Sequence, residues 1–349
     1  MQRRSLSNAP GTVTVTQVAE RAGVSTATVS RVLSGSHAVR QELRKLVLGA
    51  ARELGYRPNR AARNLRKRVS RTVGVLVPDI ENPFFTSVIC GIEEVLQEKD
   101  YSLLLANYDE RPERETNQIN ALLAEGVGGL IFAVSRDPSD EYETMAAMKI
   151  PMVAVSRRPG KLRVDQVMVA NAEGARAAVA HLISLGHKRI GLVSGPASLN
   201  TARERNLGYE LALADAGLKV IPELVVREEF RQAGGYAGTL KLLALRNRPT
   251  AIFTASNLIT LGALQAIHAR QMSIPDDIAI VGFDDMPWAV SLQPPLTAVA
   301  QPARDVGRTA AQLLLERLGK PDLPKRVVTL DTTLIVRASC GAAAAGAAP

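Results

Sequence analysis

Thr26, Ala27, Thr28, Ser30 and Arg31 are small or hydrogen-bonding side chains gathered within six consecutive positions. On one helix they make an outer face slim enough to enter a DNA major groove, where hydroxyls, a methyl group and a guanidinium can meet base edges. Such a face needs a helix beneath it and a second helix to brace it, and the preceding residues supply both. Thr14 has the hydroxyl to cap a first helix, and Val15, Val18, Ala19 and Ala22 fall at i, i+3, i+4 and i+7, a single apolar stripe. Gly23 can take the positive φ of a sharp stop. Ser25 can cap a second helix whose Val29, Val32 and Leu33 point back at the first. The alternative, an ordinary helical hairpin, accounts for the packing but not for the polar outer face.

The charge distribution points the same way. Residues 1–71 hold 15 Lys and Arg against 3 Asp and Glu, a net of +12, whereas residues 72–349 hold 28 against 31, a net of −3. A charge run is usually a solvated face, but a basic end on a slightly acidic body is what a dedicated phosphate-neutralising module needs.

Leu43, Leu46, Val47, Ala50 and Leu54 repeat at helical spacing and predict a third helix, closing a helix-turn-helix headpiece over residues 12–56. Pro58 and Asn59, a helix stop and a cap residue, lead into a basic stretch, Arg60-Ala61-Ala62-Arg63-Asn64-Leu65-Arg66-Lys67-Arg68. Its apolar ridge is Ala61, Ala62 and Leu65, and Arg60, Arg63, Arg66 and Lys67 crowd the other faces, so self-repulsion opposes an isolated helix that an anionic partner would stabilise. Residues 57–70 therefore read either as a flexible basic linker or as a hinge helix that forms on DNA.

A chain of 349 residues exceeds the roughly 250–300 at which single cores stop growing, and its 46% hydrophobic content is ample for burial. Strand-like runs at 72–77, 102–106, 129–133, 152–155, 190–193, 251–254 and 278–281 alternate with helical patterns near 84–99, 112–125, 173–186, 203–216, 231–246 and 257–270. The fold class is α/β: the all-α headpiece is followed by two doubly wound subdomains around a cleft, and ligands bind in clefts outside the carboxyl ends of parallel strands. The core spans 71–338, with a first subdomain of about 72–170 and 300–328 and a second of about 171–299 and 329–338; 1–11 and 339–349 read as disordered tails.

No apolar run is long enough to cross a bilayer, and the N-terminal residues lack the apolar centre of a signal peptide, so a cytoplasmic protein with no membrane partner is expected. Cys90 reads as a small core residue and Cys340 as the start of an Ala/Gly tail, which suggests neither a disulfide framework nor a thiolate metal site. His37, His181, His187 and His268 show no metal-binding or nucleophile-activating spacing; His181 and His187 flank a helix end and read as structural. Gly126-Val127-Gly128-Gly129 is a turn before a strand and lacks dinucleotide-site spacing. No catalytic residue, metal or cofactor is expected, and enzyme is the weakest functional class.

The chain resembles the lactose-repressor (LacI/GalR) family of bacterial transcription regulators. The matching stretches are Val-Ala-Glu-Arg-Ala-Gly-Val-Ser-Thr-Ala-Thr-Val-Ser-Arg-Val-Leu (18–33), Leu-Gly-Tyr-Arg-Pro-Asn-Arg-Ala-Ala-Arg-Asn-Leu (54–65), Gly-Val-Leu-Val-Pro-Asp-Ile-Glu-Asn-Pro-Phe-Phe (74–85), Leu-Gly-His-Lys-Arg-Ile-Gly (185–191), Pro-Thr-Ala-Ile-Phe (249–253), Ile-Pro-Asp-Asp-Ile-Ala-Ile-Val-Gly-Phe-Asp-Asp (274–285) and Pro-Pro-Leu-Thr (294–297). The headpiece and hinge motifs are specific together; the core motifs alone also fit a periplasmic sugar-binding protein, which is the competing reading. The resemblance implies a periplasmic-binding-protein-like core and a homodimer, sometimes a tetramer, on a pseudo-palindromic operator in double-stranded DNA, with a small-molecule effector in the core cleft. The lack of a heptad helix after residue 338 favours the dimer.

The resemblance also implies roles. Thr26 and Ala27 match the family's main base-reading positions and Arg31 another groove-facing one; being short, Thr26 and Ala27 suit thymine-methyl contact or modest hydrogen bonding. Leu65 matches the hinge leucine that wedges into the minor groove beside its dimer mate. Arg40 and Leu43 stand where the family usually has Ser and Thr, so a charge replaces hydroxyl contacts to phosphate. Thr14, Ser25, Thr28, Ser30, Asn59, Arg60 and Arg63 complete the expected DNA surface.

For the effector, Phe84, Phe85, Thr201, Arg205, Phe230, Asn257 and Asp284 fall on pocket positions, with Ser156 and Arg157 beside them. The phenylalanines read either as core or as a platform for a flat or sugar-like ligand, and Arg205 as a bidentate donor. Ser156 and Ala170 stand where the family often has aspartates, so Arg157 and Arg205 are expected to leave the pocket positive and to favour an anionic or phosphorylated effector such as a sugar acid. Whether such an effector relieves or strengthens repression is left open by the residues.

Overall fold

The computed structural model describes residues 13–33, 39–56, 70–136 and 138–342. The chain divides into two units, one ending at Val69 and the other beginning at Ser70. The first holds three helices, α1 (Val15–Ala22), α2 (Thr26–Leu33) and α3 (Gln41–Glu53). Thr14 and Gln17 form a reciprocal capping box at α1, and Gly23 closes the helix at φ +66° in the left-handed region. Val18, Ala19, Val29, Val32, Val47, Ala50 and Ala51 make the core between the three helices. Leu46 departs from the expected stripe and is exposed, its place taken by Ala51. A short side chain lets α3 sit close to the other two helices.

The second unit contains two lobes, each built on a six-stranded sheet. In the first lobe the strands are β1 (Thr72–Val77), β2 (Ser102–Asn107), β3 (Gly129–Phe132), β4 (Met152–Val155), β5 (Asp165–Val169) and β11 (Val327–Leu330), ordered β11-β5-β4-β3-β1-β2 and all parallel. Helices α4 (Pro83–Glu98), α5 (Pro112–Ala124), α6 (Asp140–Ala147) and α11 (Ala303–Gly319) belong to it. In the second lobe, β6 (Ile190–Ser194), β7 (Val225–Arg227), β8 (Ala251–Thr254), β9 (Ala279–Phe283), β10 (Thr297–Ala300) and β12 (Thr333–Ile335) order as β12-β10-β9-β8-β6-β7, with only β12 antiparallel. Its helices are α7 (Asn171–Ser184), α8 (Asn200–Asp215), α9 (Gln232–Leu243) and α10 (Asn257–Ala269).

The central strands carry near-continuous apolar runs because helices cover both faces of each sheet. On one face of the first sheet, α4 and α11 meet backbone to backbone. A Cβ added to Gly91 would lie 2.0 Å from the Arg304 carbonyl oxygen, and one added to Gly307 would lie 2.0 Å from that of Val88. Asp165, at the start of β5, is fully buried and takes two hydrogen bonds from Arg317, at 2.6 and 2.9 Å, and one from the Arg326 backbone N–H at 2.8 Å.

The chain crosses between the lobes three times: after β5, after β10 and after β11. Ala300 stays in the second lobe with β10, and β11 holds the first lobe as far as Leu330, so the later two crossings fall slightly beyond the positions read from the sequence. Pairing with β5, rather than any local signal, sets the end of β11.

Two readings of the C-terminus and the cysteines need correction. Cys90 is exposed on α4 and Cys340 is buried. The tail does not begin at 339: Ala338–Cys340 is a turn of 3-10 helix, the Ser339 hydroxyl donates to the Ile280 carbonyl at 2.7 Å, and His181 Nε2 lies 3.2 Å from Cys340 Sγ. The Ala/Gly composition that follows hid this docking.

Candidate functional site

On the headpiece, Ser25 accepts a hydrogen bond from the Thr28 backbone N–H at 3.2 Å and its hydroxyl lies 3.0 Å from that of Thr28. These two hydroxyls organise the start of α2, while Thr26, Ala27, Ser30 and Arg31 stay on its exposed side and Val29 and Val32 are buried beneath. Thr14 caps α1 with its hydroxyl, and Arg40 precedes α3 exposed, its donor-only guanidinium unable to cap the helix N–H groups. Asn59, Arg60, Arg63 and Leu65 lie outside the described residues.

In the core, the described residues of the cleft between the lobes include two adjoining chambers. The inner one, about 30 Å³, is lined by Phe84, Phe85, Ser156, Arg157, Thr201, Arg205, Phe230 and Asp284, eight residues singled out in the sequence. They arrive from different elements. Asn82 caps α4 by accepting from the Phe84 N–H at 3.0 Å, and Pro83 sits at the first helical position, so the two rings begin the helix facing the cleft. Phe84 and Phe85 pack edge to face at 5.1 Å and are themselves part of the first lobe's core, so the core and platform readings hold together. Ser156 follows β4 at φ +62° and Asp284 follows β9 at φ +77°, both in the left-handed region. Left-handed backbone at a non-glycine residue stores of order 1–3 kcal/mol and is concentrated at ligand sites.

Phe230 enters from the loop after β7 and lies against Gly195, where an added Cβ would stand 2.3 Å from the ring. Arg205 reaches in from α8. Its Nε donates to Asn171 Oδ1 at 2.9 Å, one Nη donates to the Ala255 carbonyl at 2.6 Å, and the guanidinium lies 3.8 Å over the Phe283 ring. Burial lowers its pKa to about 10, with Asp284 and Glu204 acting against the fall, so it stays cationic at neutral pH. The second Nη has no acceptor among the described residues and is available to a ligand.

The expected positive tilt of this chamber does not hold. Glu110, far from Arg157 in sequence, meets its guanidinium in two bonds of 2.8 and 2.5 Å. Burial is the largest single influence and works against the Arg157 charge, but Glu110, Tyr108 and Glu115 together outweigh it and the pKa stands above the ordinary value. Removing one partner of such a pair costs of order 3–5 kcal/mol because the other charge is stranded. Asn257 is also placed otherwise than expected. It is buried outside the chamber lining, its backbone N–H donates to Asp284 at 3.0 Å, and its amide donates across the cleft to Asn82 at 2.9 Å. It therefore orients Asp284 and ties the lobes together.

Asn82, Glu110, Ser256 and Gln301 line the inner chamber and were not singled out from the sequence. Asn82 stood within a quoted motif, and Ser256 directly before Asn257, so both had a local signal. Glu110 and Gln301 had none; the latter donates to Asp284 through its amide.

Residues 14–59 match the model of bacterial regulatory proteins of the lacI family, and residues 179–340 match that of the periplasmic binding protein-like domain. The ribose operon repressor of Haemophilus influenzae is 34% identical over 326 residues, covering 93% of this chain and 98% of that protein. The chain belongs to the lacI family of bacterial regulatory proteins.

As a member it is a DNA-binding transcriptional regulator with a helix-turn-helix domain and a periplasmic-binding-protein-like core, and members of the family are regulators rather than enzymes. Among solved structures, the lac repressor dimer bound to operator and an anti-inducer superposes with a TM-score of 0.84 at 28% identity, covering 95% of this chain and all of that one. A transcriptional regulator in complex with cellobiose superposes at 0.73 with 31% identity, covering 94% and 99%. Among the described residues no helix is long and apolar enough to cross a membrane, and no group of His, Cys, Asp and Glu is placed to hold a metal ion.

Proposed function

We propose that this regulator is a cytoplasmic homodimeric repressor of a carbohydrate or sugar-acid catabolic operon, binding a pseudo-palindromic operator through the outer face of α2, with a small polar metabolite in the interlobe cleft modulating its affinity for DNA. The observation that carries the reading is the inner chamber itself: three phenylalanine rings, a buried arginine with an unused Nη and an aspartate held in left-handed backbone meet between the lobes of a chain that also carries a helix-turn-helix unit. Aromatic faces with a few fixed polar groups suit a polyhydroxylated ring, and since about 30 Å³ holds no more than a water, the lobes must part to admit it. The sugar-binding reading of the core alone is thereby absorbed, since the sugar becomes the signal rather than the cargo.

Thr26, Ala27, Ser30 and Arg31 read the groove, Ser25 and Thr28 set the helix start, Thr14 and Arg40 lie along the phosphate backbone, and Asn59, Arg60, Arg63 and Leu65 join as the segment between the units meets the operator centre. Genome-wide recovery of fragments bound by the purified protein at moderate salt tests this. A palindromic motif beside genes of carbohydrate breakdown, with occupancy changed by a sugar, is the expected result. Uniform, salt-labile binding without a motif overturns it.

A further inference from the structure

The outer chamber, about 310 Å³, lies beside the inner one and shares Glu110 and Phe230 with it. Its walls come from the loops after β2, β3, β6 and β7, and three of its lining side chains are guanidinium groups: Arg111, Arg136 and Arg231. The carboxylates on these walls are largely committed already. Asp109 is held by Arg231 at 2.7 Å, Arg114 at 3.2 Å and Arg111 at 3.4 Å, and Glu110 is taken by Arg157. Glu229 is mostly exposed and stands 3.8 Å from Arg231. Arg136 has no hydrogen-bond or ion-pair partner among the described residues. Three arginines and three acids therefore line the chamber, and Arg136 is the one of the three arginines with no carboxylate partner among the described residues, inside a concave space too large to be left to a single water.

The helices around the chamber add to this field. α5, α8 and α9 begin at Arg111, Leu199 and Arg231, all lining residues, and none of the three has a side-chain cap. The N-terminal ends of α8 and α9 therefore favour an anion at the chamber wall, whereas α5 starts on Pro112, which has no N–H, and carries Glu113 and Glu115 in its first turn. Planar guanidinium forks favour oxyanions over neutral hydroxyls.

We propose that the outer chamber is the anion subsite of the effector pocket, taking a phosphate or carboxylate group of a ligand whose neutral, ring-bearing part occupies the inner chamber, with Arg136, Arg111 and Arg231 as donors. This rests on the effector reading of the inner chamber given above. Phe230 stands between the two parts of the ligand, and Arg231, anchored on Asp109 of the opposite lobe, couples the anion to closure of the cleft.

The test begins with inorganic phosphate, titrated calorimetrically into the full chain at low ionic strength, comparing wild type with Arg136→Gln and with the double variant Arg111→Gln/Arg136→Gln. Phosphate taken up by the basic N-terminal segment is common to all three proteins, so the difference reports the chamber. Arg136 holds no described partner, so folding is not at stake in its substitution. The expected result is a binding component weakened about tenfold by the single change and further by the double. Identical isotherms in the three proteins overturn the proposal.

A second arm titrates pentoses and hexoses alongside their phosphate esters and their acids, and adds Arg205→Met. An ester or acid that binds better than its neutral parent, and loses that advantage in the double variant, supports the anion subsite and names its form. A neutral sugar bound tightly with its acid and ester rejected overturns the subsite and leaves the inner-chamber reading standing. Sugars that bind wild type and Arg205→Met equally overturn the inner-chamber reading instead.

Discussion

Arg231 of the second lobe reaches across the cleft to Asp109 of the first, donating to its carboxylate at 2.7 Å and to its backbone carbonyl at 3.1 Å. Asp109 itself sits at φ +56°, and two further arginines lie against the same carboxylate. The pair is partly exposed, so its contribution to closure is of order 0.2–1 kcal/mol. Asp109→Asn is expected to shift the lobes toward an open arrangement by up to about fivefold in population, read as a longer distance between spin labels placed one on each lobe. An unchanged distance distribution would remove the latch.

The same pair sets a pH expectation. The hydrogen bond from Arg231 is the main cause holding the Asp109 pKa below its ordinary 3.8, with burial acting the other way. A depressed carboxylate contributes stability that is present above the ordinary value and is lost as pH falls through the lowered one. The contribution of the latch to closure is therefore expected to be flat from pH 5 to 8 and to fade only in acid. A steep change in the contribution of this pair near neutrality, seen as a wild-type minus Asp109→Asn difference in the same distance measurement, contradicts the assignment.

Arg205→Met keeps a comparable length but deletes the donors to Asn171 and Ala255 and the spare Nη. Loss of the effector response with operator binding retained is expected, together with a stability cost of about 1–3 kcal/mol from the stranded acceptors. Operator anisotropy with and without effector, set beside urea unfolding, separates the two effects. A normal response in a folded variant moves the pocket elsewhere.

Thr26 stands exposed on α2 without belonging to the Ser25–Thr28 cap, so Thr26→Ala is expected to spare the headpiece fold. The predicted cost is about 0.5–1.5 kcal/mol of discrimination at one base pair of each half-site, with nonspecific binding and its salt slope unchanged. Binding-site selection on randomised operators reads this. A uniform loss across all sequences would make Thr26 a phosphate contact.

Breaking the Asp165–Arg317 pair strands a charge that is almost wholly enclosed, since Arg317 is 2% and Asp165 0% exposed. Asp165→Asn is expected to destabilise the first lobe by roughly 3–5 kcal/mol. Unfolding monitored without effector would show this as a lower urea midpoint, and an unshifted midpoint would mean that the amide replaces the carboxylate at no cost.

The local parts of this molecule were legible in its sequence. The capping box at Thr14, the stop at Gly23 and the buried stripe of Val18, Val29 and Val32 depend on neighbours within a few residues, and periodicity reports such neighbours directly. The same holds for the alternating strands and helices of the two lobes, whereas the eight residues lining the inner chamber were legible only through the resemblance of the chain to its family. The tertiary structure decided where charge is spent. Glu110 neutralises Arg157 from 47 positions away, Asn257 turns from ligand contact to lobe tie, and Cys340 is buried while Cys90 is exposed. Charge and burial are set by distance in space, and a chain that crosses three times between two lobes brings together side chains that no local pattern relates.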